Sequence, residues 1–512
     1  MDNRKHNILF HTHTVSGIVI SVVLYIIFFA GSFSFFRDDI INWERNESTK
    51  VSENISFDIN QAIDTVQKTK NLYGSDVTFV KHGYERRVNV SISATKDTLA
   101  ATENKTRDFF YLDTQNFSQH NYISSYSLGE FLYRLHFLAQ IKYPIGYYLA
   151  GFTAFFFLFA IITGVLIHWK KIISNFYVFR PFAKLKAMWT DAHTALGMIG
   201  LPFQFVYAVT GAFFMIKLLL VAPNVMVIYN GNQQELYKDL GYTPTDYTFH
   251  QQKREKVVDY NLYLKELKKE WPSFNVTKIL IQNFGDTNEH ITFEGHSNRS
   301  LKFNGFGKIT YKATNHKVIY QKKPEETTSY LESVKNILYR IHFGDYGGYL
   351  LKIISFLLGI TSCFVIISGV MIWLVARDKK NVPEKRKRFN KKVVIVYLAI
   401  CLSMYPITAL SFIAVKVFAT QMSQSFIYTF YFIGWLLFTL FFIVKKDIYF
   451  TNKWTLKLGS YIGLCIPIVN GICTENWFWN TLQNQQYQLF FIDVFWICLS
   501  LTTLWVGSKL KK

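Results

Sequence analysis

Long apolar blocks constrain the fold of this chain more than any other feature of its sequence. Four of them carry no Lys, Arg, Asp or Glu over 22 to 25 residues, and four more follow at short intervals towards the C-terminus. The blocks are Val15–Phe36, Ile145–Trp169, Ala195–Ile216, Ile353–Val375, Val393–Ala419, Phe426–Val444, Leu458–Thr474 and Leu489–Gly507. A helix of about 20 apolar residues crosses a hydrocarbon layer of roughly 30 Å. The sequence therefore predicts a polytopic α-helical membrane protein with eight spans in the lipid bilayer.

The net charge of +21 is distributed in a way that favours a membrane topology over a nucleic-acid partner. Nine Lys or Arg residues lie between Arg377 and Lys392, whereas the links Thr420–Ser425 and Glu475–Gln488 contain none. Because cytoplasmic loops carry an excess of Lys and Arg, the pattern predicts that both termini and the basic links are cytoplasmic. We expect no binding to nucleic acid.

Two large polar segments, 37–128 and 217–335, then lie outside the cytoplasm. Each contains alternating stretches typical of strands, such as Arg87–Ser93 and His290–Glu294, after a helix-like stretch. We therefore predict two periplasmic α+β domains. The predicted order is transmembrane helix 1 (1–36), outer domain 1 (37–128), transmembrane helices 2 and 3 (129–216), outer domain 2 (217–335), transmembrane helix 4 (336–376), a basic cytoplasmic loop (377–392) and transmembrane helices 5–8 (393–512).

The first four spans and their outer segments form an internal duplication. His13-Thr-Val-Ser-Gly17 matches His193-Thr-Ala-Leu-Gly197, and Leu132-Tyr-Arg-Leu-His-Phe137 matches Leu338-Tyr-Arg-Ile-His-Phe343. Further on, Ile161-Ile-Thr-Gly-Val165 matches Ile366-Ile-Ser-Gly-Val370. Both copies cross the membrane in the same direction, which makes them parallel repeats about an axis along the membrane normal. The last four spans contain no third copy.

Four histidines recur at matching places in the two copies: His13 with His193, and His136 with His342. The topology predicts the first pair at the cytoplasmic ends of the helices and the second pair at the outer face. A two-fold axis would place the members of each pair opposite one another. Two imidazoles that face each other from different helices can hold a haem iron from both sides. We therefore predict a duplicated four-helix core with two b-type haems.

Glycines recur beside these histidines. Gly17 and Gly197 follow their histidines by four residues and share their helix face, where a flat macrocycle needs a small neighbour. Gly31 and Gly211 follow eighteen residues after the histidines and return to the same face about 27 Å along the helix. Small residues on a membrane helix also serve as packing notches between helices, so both interpretations stay open.

Other candidate residues are weaker. His11 lies about 200° around the helix from His13, so the two cannot face one iron. His168 is a candidate inner ligand in place of His13, but its repeat partner is Trp373, which cannot bind iron. Alone, a histidine near the membrane interface is more often a headgroup or backbone partner than a ligand.

Two arginines precede the outer histidines by two residues, Arg134 and Arg340. They could pair with haem propionates, or they could anchor their helices at the membrane interface.

In these repeated motifs, over about residues 8–376, the chain resembles the PepSY-associated transmembrane family of bacterial iron-regulated membrane proteins, which includes ferric-siderophore reductases. The resemblance implies an inner-membrane protein, outer segments of the PepSY type, and haem held by the matched histidines. Helices 5–8 depart from the minimal four-span pattern, so the partner or substrate can differ here.

The function that we expect is that of an oxidoreductase. It would pass electrons from a quinol or flavin donor across the membrane to a ferric siderophore or another Fe(III) chelate. No catalytic residue stands out, and no dinucleotide-binding glycine motif is present. Two alternatives remain: a PepSY-domain binding or regulatory protein without redox activity, and a transporter for iron chelates.

Overall fold

A computed structural model of the protein describes residues 2–49, 54–171, 180, 185–239, 245–297 and 303–510. Parts of the predicted second outer segment, 240–244 and 298–302, lie outside the described residues. The chain divides into two compact units. The membrane unit comprises Met1–Glu44, Ser127–Val227 and Ile341–Lys512, and the sheet unit comprises Arg45–Tyr126 and Ile228–Arg340.

The structure contains both helices and strands. The helices are α1 (Asn3–Ser34), α2 (Arg37–Arg45), α3 (Ile59–Gln67), α4 (Leu128–His136), α5 (Ile145–His168), α6 (Leu185–Ile199), α7 (Leu201–Ile228), α8 (Gln233–Asp239), α9 (Tyr260–Glu270), α10 (Tyr330–Phe343), α11 (Gly348–Ala376), α12 (Glu384–Leu402), α13 (Met404–Val417), α14 (Gln424–Lys445), α15 (Ile448–Thr474), α16 (Phe478–Gln483) and α17 (Tyr487–Lys509). The strands are β1 (Val77–Val80), β2 (Arg87–Ile92), β3 (Asp108–Asp113), β4 (Gln119–Asn121), β5 (Phe274–Gln282), β6 (His290–Ser297), β7 (Phe306–Lys312) and β8 (Lys317–Lys322).

Among the described residues, seven stretches are long and apolar enough to cross a membrane: α1, α5, α11, α12 with α13, α14, α15 and α17. The chain is thus a polytopic membrane protein. The predicted third span is a pair of helices, Lys186–Ile199 and Leu201–Lys217, bent by 69° at Gly200. Pro202 follows the bend, and because proline has no N–H it cannot continue the helical hydrogen bonds there. Counted as one span, this bent pair makes eight.

The sheet unit is built around one antiparallel sheet. Its strand order is β4-β3-β2-β1-β5-β6-β7-β8, so each predicted outer segment contributes four consecutive strands. The first strands of the two copies meet at the centre, where Val77 pairs with Ile281 and Val80 with Lys278. The two segments therefore join in one compact unit with a common apolar core, which includes Ile63, Val90 and Phe293.

The two copies also meet at the N-termini of α3 and α9. Asn60 donates from its side chain to Asp259, and Asn261 donates to Asp58, each over 2.7 Å. The same two asparagines accept from the backbone N–H groups of Tyr260 and Ile59. Each helix is thus capped partly by the other, which is the hydrogen-bond pattern of an internal two-fold axis.

In the membrane unit, α2 carries polar groups into the interior. Trp43 donates its indole N–H to Asp493 over 2.9 Å, and Lys416 donates to the Trp43 carbonyl and lies 4.3 Å from its ring centroid. Asp39 accepts from Lys352 over 3.1 Å. The two charged side chains that interrupt the predicted fifth and eighth spans, Lys416 and Asp493, are therefore both held by α2.

Candidate functional site

The repeated histidines lie together in two pairs within the membrane unit. The ring centroids of His13 on α1 and His193 on α6 are 6.2 Å apart, and we call these residues the inner pair. The ring centroids of His136 on α4 and His342 on α10 are 6.1 Å apart, and we call these the outer pair. The structure therefore brings together the two pairs that the duplication predicts.

Both imidazoles of the inner pair are oriented through Nδ1 by the neighbouring helix. His13 Nδ1 lies 2.9 Å from the carbonyl of Ala160, and His193 Nδ1 lies 2.9 Å from the carbonyl of Val365. A carbonyl can only accept, so Nδ1 carries the proton in each ring. Nε2 then bears the lone pair and takes part in none of these bonds. This is the tautomer in which an imidazole binds a metal through Nε2.

The outer pair has the same chemistry with one difference between the copies. His136 Nδ1 donates to the carbonyl of Ile27 over 2.8 Å. His342 Nδ1 lies 2.7 Å from the Thr210 hydroxyl, whose own proton goes to the carbonyl of Val206 over 2.6 Å. The Thr210 oxygen must therefore accept from His342. All four histidines thus present the unprotonated Nε2 as a possible ligand.

The spacing within each pair suits one metal ion between two imidazoles. With a metal–nitrogen bond of about 2.0 Å and about 1.1 Å from each nitrogen to its ring centre, two opposed rings have centroids about 6 Å apart. Both pairs match this value within a few tenths of an ångström. Among the described residues, no group of three or more His, Cys, Asp or Glu could hold a metal. A two-histidine site of the haem type leaves the remaining positions to the macrocycle.

The glycines around the pairs differ in what they face. Among the described residues, a Cβ at Gly17 would meet nothing within 4 Å, and one at Gly197 would meet only Val365 at 3.9 Å. The space at Gly17, one turn from His13, is therefore open in this part of the chain. A Cβ at Gly31 would lie 2.5 Å from His136 Nδ1, whereas one at Gly211 would lie 3.3 Å from Ala154. Gly31 therefore admits the histidine ring, and Gly211 packs against α5.

Three residue positions near the inner pair were not singled out from the sequence as part of the site. A Cβ at Gly164 would lie 3.1 Å from His13, and one at Gly369 would lie 3.3 Å from His193. Ser368 places its hydroxyl 3.0 Å from His193 Nδ1. All three belong to the repeated Ile-Ile-Thr/Ser-Gly-Val motif, so that motif was the available signal.

The two predicted arginines have different surroundings. Arg134 pairs with Glu130 over 2.7 Å, and Glu130 also pairs with Arg37 over 2.8 Å. Burial acts to raise the pKa of Glu130, but the two guanidinium groups outweigh it and lower that pKa. Arg340 is buried, with its guanidinium 5.4 Å from the Phe303 ring centroid.

The two weaker histidine candidates lie near the inner end of the bundle. His11 is exposed, and its ring centroid is 6.1 Å from that of Phe10, so it does not join the inner pair. His168 is half-buried at the last residue of α5. The inner pair is formed by His13 and His193 without it.

The membrane helices bring the repeated histidines into two pairs, and the two outer segments form one eight-stranded sheet. The family model of the PepSY-associated TM region matches residues 10–376, which cover both copies of the repeat. The chain is a member of the PepSY-associated transmembrane family. No curated protein matches it.

Proposed function

We propose that this protein is a two-haem, b-type electron carrier of a bacterial inner membrane, and that it reduces an Fe(III) chelate at the outer face. The observation that carries the proposal is the matched spacing of the rings in the two histidine pairs. Each has ring centroids about 6 Å apart, and each imidazole has its Nδ1 proton engaged by a neighbouring helix.

Within this proposal, His13 and His193 would hold one haem through Nε2, and His136 and His342 would hold the other. When bound, haem supplies a one-electron carrier at each of the two levels. The carbonyls of Ala160, Val365 and Ile27 and the Thr210 hydroxyl keep the ring planes fixed and strengthen the imidazoles as ligands. The open space at Gly17 leaves room for the edge of a macrocycle.

The sheet supports the topology that this function needs. β1 and β5 are hydrogen-bonded neighbours, so both outer segments lie on one side of the membrane. The chain between them must then cross an even number of times, which α5 and the bent pair α6–α7 satisfy together. This favours eight spans with both termini on one side, and the basic segment Arg377–Lys392 favours the cytoplasm for that side.

The acceptor is proposed from the family resemblance. Ferric-siderophore reductases occur in this family, and one-electron reduction of Fe(III) to Fe(II) weakens the hold of a chelate on its metal. The sheet unit, which both outer segments form, is the candidate for recognising the chelate.

The test is the visible spectrum of the full-length protein purified in detergent from haem-replete cells. We expect a Soret band and, after dithionite, sharp α and β bands of six-coordinate haem. His13→Ala and His136→Ala should each remove about half of the haem, since each breaks one of two sites.

His11→Ala is the matched control, because His11 lies two residues from His13 but is exposed. It should retain the full haem content. Colourless protein from haem-replete cells would contradict the proposal and favour a binding module or a transporter, which chelate uptake into proteoliposomes would separate.

A further inference from the structure

An apolar cavity of about 410 Å³ lies between α1, α11 and α12. Its lining includes Ile18, Val22, Val370, Trp373, Lys392 and Tyr397. At the rim of the cavity, Val393 and Val396 are 41% and 39% exposed. The cavity therefore opens towards the surface that lipid would cover. A molecule dissolved in the bilayer could therefore enter it from the side.

One buried polar group that lines this cavity has only a weak neighbour. Tyr397 is 5% exposed, and its hydroxyl makes no hydrogen bond of ordinary length among the described residues, with the weakly accepting Cys401 thiol one turn along α12. A buried hydroxyl without a hydrogen bond is unfavourable, and such groups are uncommon in native proteins. The Tyr397 hydroxyl therefore indicates a ligand that carries an oxygen atom into an otherwise apolar space.

A second polar group marks the end of the cavity nearest the water. Lys392 is exposed and directly precedes the apolar block that begins at Val393, so its ammonium group lies at the depth of the membrane surface. Tyr397 lies five residues, or about 7.5 Å, deeper along α12. A ligand that meets both groups has a compact polar head and an apolar remainder.

The cavity is adjacent to the inner pair. Ile18 follows His13 by five residues on α1, about 7.5 Å along the helix axis. Trp373 lies one turn beyond Gly369 on the same face of α11, and a Cβ at Gly369 would lie 3.3 Å from His193. The cavity thus lies within about two helical turns of the inner pair along α1 and α11.

We propose that this cavity binds a membrane quinol, the electron donor of the function proposed above, on which the inference rests. One quinol oxygen pairs with the Tyr397 hydroxyl, and the isoprenoid tail leaves between Val393 and Val396. A phospholipid acyl chain has no oxygen to offer Tyr397 at that depth. A flavin nucleotide would bring phosphates that this apolar lining, with one lysine, does not match.

The chemistry balances with the chelate as oxidant. Oxidation of one quinol to its quinone releases two electrons and two protons. The electrons reduce two Fe(III) chelates to Fe(II), one each, at the outer face. Both O–H bonds break, and the protons leave past Lys392 to the water at the cytoplasmic surface.

The test uses an azido-substituted benzoquinone with a short isoprenoid tail. It is photolysed with the full-length protein in phosphatidylglycerol nanodiscs, and the labelled peptides are mapped by mass spectrometry. We expect labelling on α1 and α12 that excess unlabelled quinone displaces and excess phospholipid does not. Tyr397→Phe should weaken binding of the probe about two- to tenfold, since it removes one hydrogen bond.

Two matched controls and a second variant complete the design. Tyr461→Phe alters a tyrosine that is 49% exposed on α15 and should change nothing. Val22→Trp should fill the cavity and abolish labelling, whereas Leu440→Trp, at a residue 47% exposed on α14, should not. Labelling that maps elsewhere, or that phospholipid displaces, would overturn the quinol site. Because labelling does not depend on haem, a missing Soret band would refute the proposed function separately.

Discussion

Replacing Thr210 by valine tests the orientation of the outer pair most directly. The Thr210 hydroxyl is the acceptor for His342 Nδ1, at 2.7 Å, and the side chain is fully buried. Valine has nearly the same shape but offers no acceptor. The Nδ1–H of His342 would then be buried without a partner, and its ring would lose the hydrogen bond that fixes its orientation.

The size of the effect follows from that single contact. A buried donor left unpaired costs about 1–3 kcal/mol. If the cost appears in haem binding at the outer pair, the dissociation constant rises about 5- to 140-fold. Transfer of haem to excess apomyoglobin measures this: the wild type should release both haems slowly, and Thr210→Val should release one of the two markedly faster.

Two variants sharpen the comparison. Thr210→Ser keeps the hydroxyl and should restore slow release. Thr361→Val removes a hydroxyl on α11 that donates only within its own helix, to the carbonyl of Leu357 over 2.8 Å, and should leave release unchanged. If Thr210→Val released haem like the wild type, the orientation of His342 by this bond would be refuted.

Three further predictions concern other parts of the chain. Gly17→Val should leave folding intact, since a Cβ there meets no atom of the described residues within 4 Å, but should lower the haem content by about half; an unchanged pyridine haemochrome assay would show that no cofactor occupies that space. Burial raises the pKa of Glu289 above its ordinary value of 4.5, although the positive charge of Arg254 acts to lower that pKa. The free energy of unfolding should therefore fall as pH rises through the raised pKa. Glu289→Gln should lack this pH dependence in thermal unfolding followed by tryptophan fluorescence; an unchanged slope would contradict the assignment. Lys416→Met should destabilise the membrane unit by about 1–3 kcal/mol, because it removes the donor to the buried Trp43 carbonyl and the buried positive charge that acts on Asp493. Adding Asp493→Asn should recover part of the loss in detergent thermal melts, and a double variant no better than the single would exclude this coupling.

The histidine pairs could be predicted because the duplication supplies two copies of each residue and its symmetry implies which residues meet. The groups that orient them were harder to find. His13, His136 and His193 bond to backbone carbonyls, which every residue possesses, so no residue type marks those positions. The residue that matches Thr210 in the first copy of the repeat is Ala30. A comparison of the two copies therefore gives no signal for Thr210.

The outer segments show what the sequence patterns did not predict, namely which strands pair. Alternation along β2 and β6 indicates which side chains are buried, but it does not identify the partner of a strand. The pairing of β1 with β5 joins residues about 200 positions apart, and the sequence therefore suggested two domains where the structure has one sheet. The bend at Gly200 had a local signal in Pro202, although the apolar block continues through it.

The central pairing of β1 with β5 also sets an order of events during biosynthesis. A ribosome adds about 5–20 residues per second, so about 10–40 s separate the synthesis of the two strands. During that interval β1 has an unsatisfied edge, which makes it prone to pair with strands of other chains. The first outer segment must therefore be kept from aggregating until two more spans have been inserted, and a chaperone on that side of the membrane would act in this interval.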